Sequence, residues 1–119
     1  MRTMNFGWLA IAGLLLAGPA QAHAVLVDST PAIGASVPAG DTALRLRFNS
    51  RVDRTRSRLT LIRAGHDPQV IPIDPAGTED LLLAHATLPA GPCVVRWQVL
   101  AVDGHITRGD VSLKVEPKK

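Results

Sequence analysis

Between Thr42 and Phe48 the chain reads Thr-Ala-Leu-Arg-Leu-Arg-Phe. Apolar and charged side chains that alternate in this way suit an extended strand with one face buried and the other in water. Leu44, Leu46 and Phe48 share the buried parity, and Arg45 and Arg47 share the wet one. Similar runs occur at residues 24–28, 58–63, 69–73, 81–87, 93–102 and 111–115, and no amphipathic stretch of helical length appears. Ser29-Thr30-Pro31 with Gly34, Pro38-Ala39-Gly40-Asp41, residues 64–68, residues 74–80 and residues 88–92 supply the turns. Pro72 has no N–H to give to a ladder, so the 69–73 strand belongs at a sheet edge. About seven short strands punctuated by Gly and Pro predict an all-β antiparallel sandwich or barrel.

The first 22 residues follow different rules. Arg2 gives a positive start, residues 8–17 are apolar throughout apart from Gly13, Gly18-Pro19 breaks a helix, and Ala20-Gln21-Ala22 is the small-x-small pattern of a cleavage site. This apolar run is well short of the roughly 20 residues a membrane-spanning helix needs. Residues 1–22 therefore read as a cleaved secretory signal rather than a retained anchor, and residues 23–119 as one exported, soluble domain that is not membrane-embedded. Without a lipid-attachment cysteine, such a signal suits a bacterial periplasm.

Cleavage removes both methionines, Met1 and Met4, and leaves Phe48 and Trp97 as the large aromatic fillers. The formal charge of +3 falls further when Arg2 leaves. Arg45, Arg47, Arg51, Arg54, Arg56 and Arg58 are locally basic, but no stacking aromatics lie among them, so they read as a solvated face and not as a nucleic-acid surface. Cys93 is the one cysteine and has the parity of Val95 and Trp97, which predicts a buried thiol outside any metal site.

Cutting after Ala22 would make His23 the first residue. A terminal α-amine, with a reference pKa near 7.7–8.0, loses its proton to a metal at modest cost, and with Nδ1 of the same residue it closes a six-membered chelate ring. Asp103 and His105 end the 93–102 strand and continue its parity, and Gly104 between them lets the backbone bend. Extended backbone would space them about 6.5–7 Å apart, near enough to converge on one ion. By itself, Asp-Gly-His after a strand reads better as an ordinary turn. With His23, the set is three nitrogens and one oxygen, which favours one Cu(II) per chain, with Zn(II) as the weaker competitor. His66, in a Gly and Pro turn, and His85, in a strand, have no partner at ligand spacing. Asp28 is placed either near the site or in a turn cap.

Together, His23-Ala24-Val25-Leu26, Ser29-Thr30-Pro31-Ala32 with Gly34, Leu46-Arg47-Phe48-Asn49-Ser50, and Trp97-Gln98-Val99 leading to Asp103-Gly104-His105 and Gly109 resemble the CopC family of periplasmic copper-binding proteins. The resemblance spans residues 23–119. It implies a single Greek-key, immunoglobulin-like β-sandwich or barrel that binds Cu(II) through the terminal amine and imidazole, with the Asp-x-His pair completing the site. Carried over, the ligands are His23, Asp103 and His105. Some relatives have a glutamate where Ser50 stands, and others have a methionine-rich Cu(I) site for which residues 23–119 have no thioether.

The function expected is therefore a non-catalytic periplasmic Cu(II) carrier that sequesters, buffers or delivers copper, with an inner-membrane transporter of the CopD type as a partner. Two rivals are a copper-dependent oxidase of the lytic polysaccharide monooxygenase type and a metal-free immunoglobulin-like interaction domain. The first is disfavoured by a carboxylate at the position oxygen would need, and the second would leave Asp103-Gly104-His105 as a turn and no more.

Overall fold

The computed structural model describes residues 24–118. Residues 1–23, and with them the expected cleavage site and His23, lie outside them. The strands are β1 (Leu26–Thr30), β2 (Ala35–Pro38), β3 (Gly40–Phe48), β4 (Arg58–Ile62), β5 (Gln69–Ile71), β6 (Ile73–Asp74), β7 (Leu81–Leu88), β8 (Gly91–Leu100) and β9 (Ile106–Glu116), with one 3₁₀ turn at Arg54–Arg56. They form a four-stranded sheet in the order β1-β3-β7-β6 and a five-stranded sheet in the order β2-β9-β8-β4-β5. The expected all-β sandwich is thus present, and no helix among the described residues is long and apolar enough to cross a membrane.

The strand count exceeds the seven expected, for two reasons. At Pro72 the missing N–H ends one ladder: Ile71 still pairs with Leu59 of β4, whereas Ile73 already pairs with Ala84 of β7 in the other sheet. One predicted edge strand is therefore two short ones, each closing the edge of a different sheet. The second addition is β2, whose four residues between Gly34 and Gly40 carry no local strand signal. It is held by parallel pairing with the far end of the chain, from Ala35 opposite Leu113 to Pro38 opposite Glu116. The first strand also begins at Leu26 rather than Ala24, with a register shift between Leu26 and Asp28 against β3.

Burial follows the alternation. Leu44, Leu46 and Phe48 of β3, Leu59 and Leu61 of β4, Leu82, Ala84 and Leu88 of β7, and Val111, Leu113 and Val115 of β9 meet Cys93, Val95, Trp97 and Val99 of β8 in one core. Phe48 and Trp97, from opposite sheets, join edge to face with ring centroids 5.2 Å apart. Gly109 of β9 lies opposite Trp97. A Cβ there would fall 2.5 Å from Trp97 Cε2 and 2.9 Å from Nε1, so the indole occupies the space a side chain would need.

The arginines of the basic stretch are largely engaged within the molecule. Arg45 faces Asp28 at 3.6 Å, Arg51 faces Glu79 at 3.5 Å and Arg56 faces Asp53 at 3.7 Å. Arg54 has a different task. Its guanidinium donates to the carbonyls of Pro75 at 3.0 Å, Gly77 at 3.1 Å and Thr78 at 2.8 Å, supplying donors to a loop that has no ladder of its own.

Candidate metal centre

The β8–β9 hairpin pairs without interruption from Gly91 opposite Val115 to Leu100 opposite Ile106. At its tip the Ala101 N–H donates to the His105 carbonyl at 2.8 Å, and the Gly104 N–H donates to the Ala101 carbonyl at 2.9 Å. Gly104 takes φ +88°, a region L side chains rarely enter. The strand parity that sequence reasoning extended through Asp103 and His105 is therefore broken at Ala101, and a turn brings the two residues together instead. The hairpin is braced from the side by the bridge between Val52 and Ala101 and by the Asp53 N–H, which donates to the Leu100 carbonyl at 2.8 Å.

Both Asp103 carboxylate oxygens are turned to His105. Oδ1 accepts from its backbone N–H at 3.0 Å, and Oδ2 lies 2.8 Å from its Nδ1. The His105 side chain is 60% exposed and that of Asp103 23%, so the pair sits at the surface on a rigid base. Imidazole and carboxylate donors lie about 2.0–2.2 Å from a metal such as zinc, so two of them at a right angle are about 3 Å apart. Nδ1 and Oδ2 already stand at that separation.

The start of the described chain lies against the same hairpin. Ala24 is fully buried, and its carbonyl accepts from the Thr107 hydroxyl at 2.9 Å, two residues after His105. The Val25 N–H donates to Asn49 Oδ1 at 2.8 Å, and the Asn49 N–H donates to the Val25 carbonyl at 2.9 Å. Thr107 and Asn49 went unnoticed as candidate site residues, because bonds across 83 and 24 residues leave no trace in a local pattern.

Among the described residues no three His, Cys, Asp or Glu side chains form a metal cluster. Asp103 and His105 are brought together, and His23 lies outside the described residues. His66 is exposed with Nδ1 3.0 Å from the Ala64 carbonyl, and His85 points outward from β7. Asp28 neither reaches the hairpin pair nor caps a turn, and instead faces Arg45. Cys93 is 4% exposed in the core, where burial pushes its thiol pKa up. The Ser50 hydroxyl is buried without a hydrogen-bond partner.

A CopC domain model matches residues 26–116, nearly the whole described chain. The chain belongs to the CopC family. It is 31% identical over 121 residues to copper resistance protein C of Pseudomonas syringae pv. tomato, with 94% of this chain and 95% of that protein covered. CopC from Methylosinus trichosporium OB3b superposes with a TM-score of 0.70 at 26% identity, over 82% of this chain and 97% of that one. PcoC of Escherichia coli, a methionine-rich copper resistance protein, superposes with a TM-score of 0.67 at 24% identity, over 80% of this chain and 100% of that one, a likeness of fold. In this CopC-family chain the Asp103–His105 turn and the anchored Ala24 therefore lie on a sandwich shared with copper resistance proteins.

Proposed function

We propose that the chain is a non-catalytic periplasmic Cu(II) carrier, with residues 1–22 removed on export and one cupric ion held by the His23 amine and imidazole together with Asp103 and His105. The observation that carries this reading is the pairing of His105 Nδ1 with Asp103 Oδ2 at 2.8 Å, on a hairpin whose next strand also holds Ala24. Ala24, the residue that follows His23 in the sequence, is held beside that hairpin. Copper, which the names of the relatives attach to them, fits a set of three nitrogens and one oxygen, and imidazole with carboxylate suits Cu(II) better than Cu(I). The only methionines, Met1 and Met4, fall within residues 1–22, so residues 23–119 offer no thioether ligand for Cu(I). A ligand set at an exposed turn suits handover by ligand exchange, with an inner-membrane copper transporter of the CopD type as recipient.

The test compares protein beginning at His23 with the same protein whose α-amine has been acetylated. Cu(II) affinity is measured by competition with a coloured chelator. Acetylation removes the amine donor and its chelate ring, and is expected to cost about 3 kcal/mol, or about 100-fold in Kd. Equal affinities would refute the chelate. Binding should also weaken as the solution is acidified, because the amine and both imidazoles must lose protons to bind the ion.

A further inference from the structure

A chain end of the kind that cleavage after Ala22 would leave usually frays, because little holds its backbone. The two residues that follow His23 are held instead. Ala24 is fully buried, and both it and Val25 are tied by hydrogen bonds outside the strand ladder, which starts only at Leu26. The ties come from both sheets. Thr107 belongs to β9 of the five-stranded sheet, and its hydroxyl holds the Ala24 carbonyl at 2.9 Å. Asn49 follows β3 of the four-stranded sheet, and it clasps Val25 twice: its Oδ1 accepts from the Val25 N–H at 2.8 Å, and its own N–H donates to the Val25 carbonyl at 2.9 Å.

We propose that Thr107 and Asn49 are positioning residues for Cu(II) capture: they hold the backbone at Ala24 and Val25 in place before the ion arrives, so that His23 is presented to the Asp103–His105 turn. This inference rests on the reading that His23 supplies the chelate. Thr107 is suited to the task because it lies two residues beyond His105 on a strand fixed by ten consecutive cross-strand partners, so one rigid element sets both halves of the site. The gain is one of preorganisation. A backbone that is already ordered does not lose that freedom when the metal binds.

The experiment uses processed protein beginning at His23 and measures Cu(II) affinity by chelator competition, with the electron paramagnetic resonance spectrum of the bound ion. Thr107→Val keeps the shape and removes the donor, Thr107→Ser keeps the donor, and Asn49→Ala removes one of the two Val25 bonds at an exposed position. Thr107→Val is expected to weaken binding about 10-fold, and the double variant with Asn49→Ala about 100-fold, the factors for leaving first one and then two residues to be ordered on binding. Thr107→Ser is expected to restore the wild-type value. In protein whose α-amine is acetylated the same substitutions are expected to change affinity little, a coupling that general loss of stability would not produce. If Thr107→Val is too unstable to assay, Asn49→Ala alone, with an expected loss of several-fold, decides the matter.

If acetylation abolishes tight binding while both substitutions leave affinity and spectrum unchanged, the positioning role is overturned and the chelate stands. If acetylation has no effect in wild-type protein, the chelate fails and the inference fails with it.

Discussion

Replacing Gly109 by alanine tests the packing that joins β8 to β9 beneath the candidate site. Carbon atoms in good contact lie about 3.5–4.0 Å apart, whereas the new methyl would sit 2.5 Å from Trp97 Cε2 and 2.9 Å from Nε1. The indole has no easy retreat, because Trp97 is 7% exposed and its other side meets Phe48. Overpacking of this kind costs about 1–3 kcal/mol, and the severity of the overlap places Gly109→Ala at the upper end. Gly109 is not among the positive-φ glycines, so alanine regains about 0.4–1 kcal/mol by restricting the unfolded chain. The net expectation is a loss of about 2 kcal/mol, or a Tm lowered by about 8–16 °C for a domain of this size. Thermal and urea unfolding followed by circular dichroism would measure it. In a Trp97→Leu background, where the indole is gone, the same substitution should be nearly neutral or stabilising, giving a coupling of comparable size. A stable Gly109→Ala protein, or an equal loss in both backgrounds, would refute the steric argument.

Two further outcomes follow from titrating groups. Cys93 is buried with a raised thiol pKa, so it should resist alkylation in mildly alkaline buffer until urea unfolds the protein, and rapid stoichiometric labelling of the folded form, read by mass spectrometry, would contradict its placement. On the outer sheet face, hydrogen bonds from Arg96, at 2.8 Å and 3.1 Å, hold the Asp110 carboxyl below its ordinary pKa. A lowered folded pKa adds stability above the unfolded value near 3.9 and loses it as the pH falls through the folded value. Because the pair is about half exposed, that contribution is only about 0.5 kcal/mol. Arg96→Gln should therefore destabilise slightly at neutral pH, with the difference from wild type vanishing in acid and in high salt, as denaturant titrations at several pH values would reveal.

Much of the sandwich was legible because strand alternation is a local property. Which side chains of β3, β8 and β9 face inward follows from parity once a segment is extended, and Cys93 was placed correctly on that ground alone. Turn chemistry was legible for the same reason at Gly34 and in residues 64–68. Asp103 and His105 were recognisable as a pair, and of the two backbones their spacing allowed, an extended run or a turn, the structure has the turn. Gly104 enters a conformation that ends the strand, and it is the resulting turn that sets Oδ2 beside Nδ1.

What remained hidden depends on pairing between distant segments. No local signal makes Ala35–Pro38 a strand, since its partner is the last strand of the chain, and no local signal says that Pro72 moves the backbone from one sheet to the other. The same holds for the hydroxyl of Thr107 reaching the carbonyl of Ala24 across 83 residues. Sequence alone determined the strand faces, the residue types able to chelate and the absence of thioethers beyond residue 22, because each is a property of the chain read in order. Tertiary structure decided which strands became neighbours and where Ala24 and Val25 were fastened, because those choices rest on hydrogen bonds and burial that exist only after the two sheets have closed on one another.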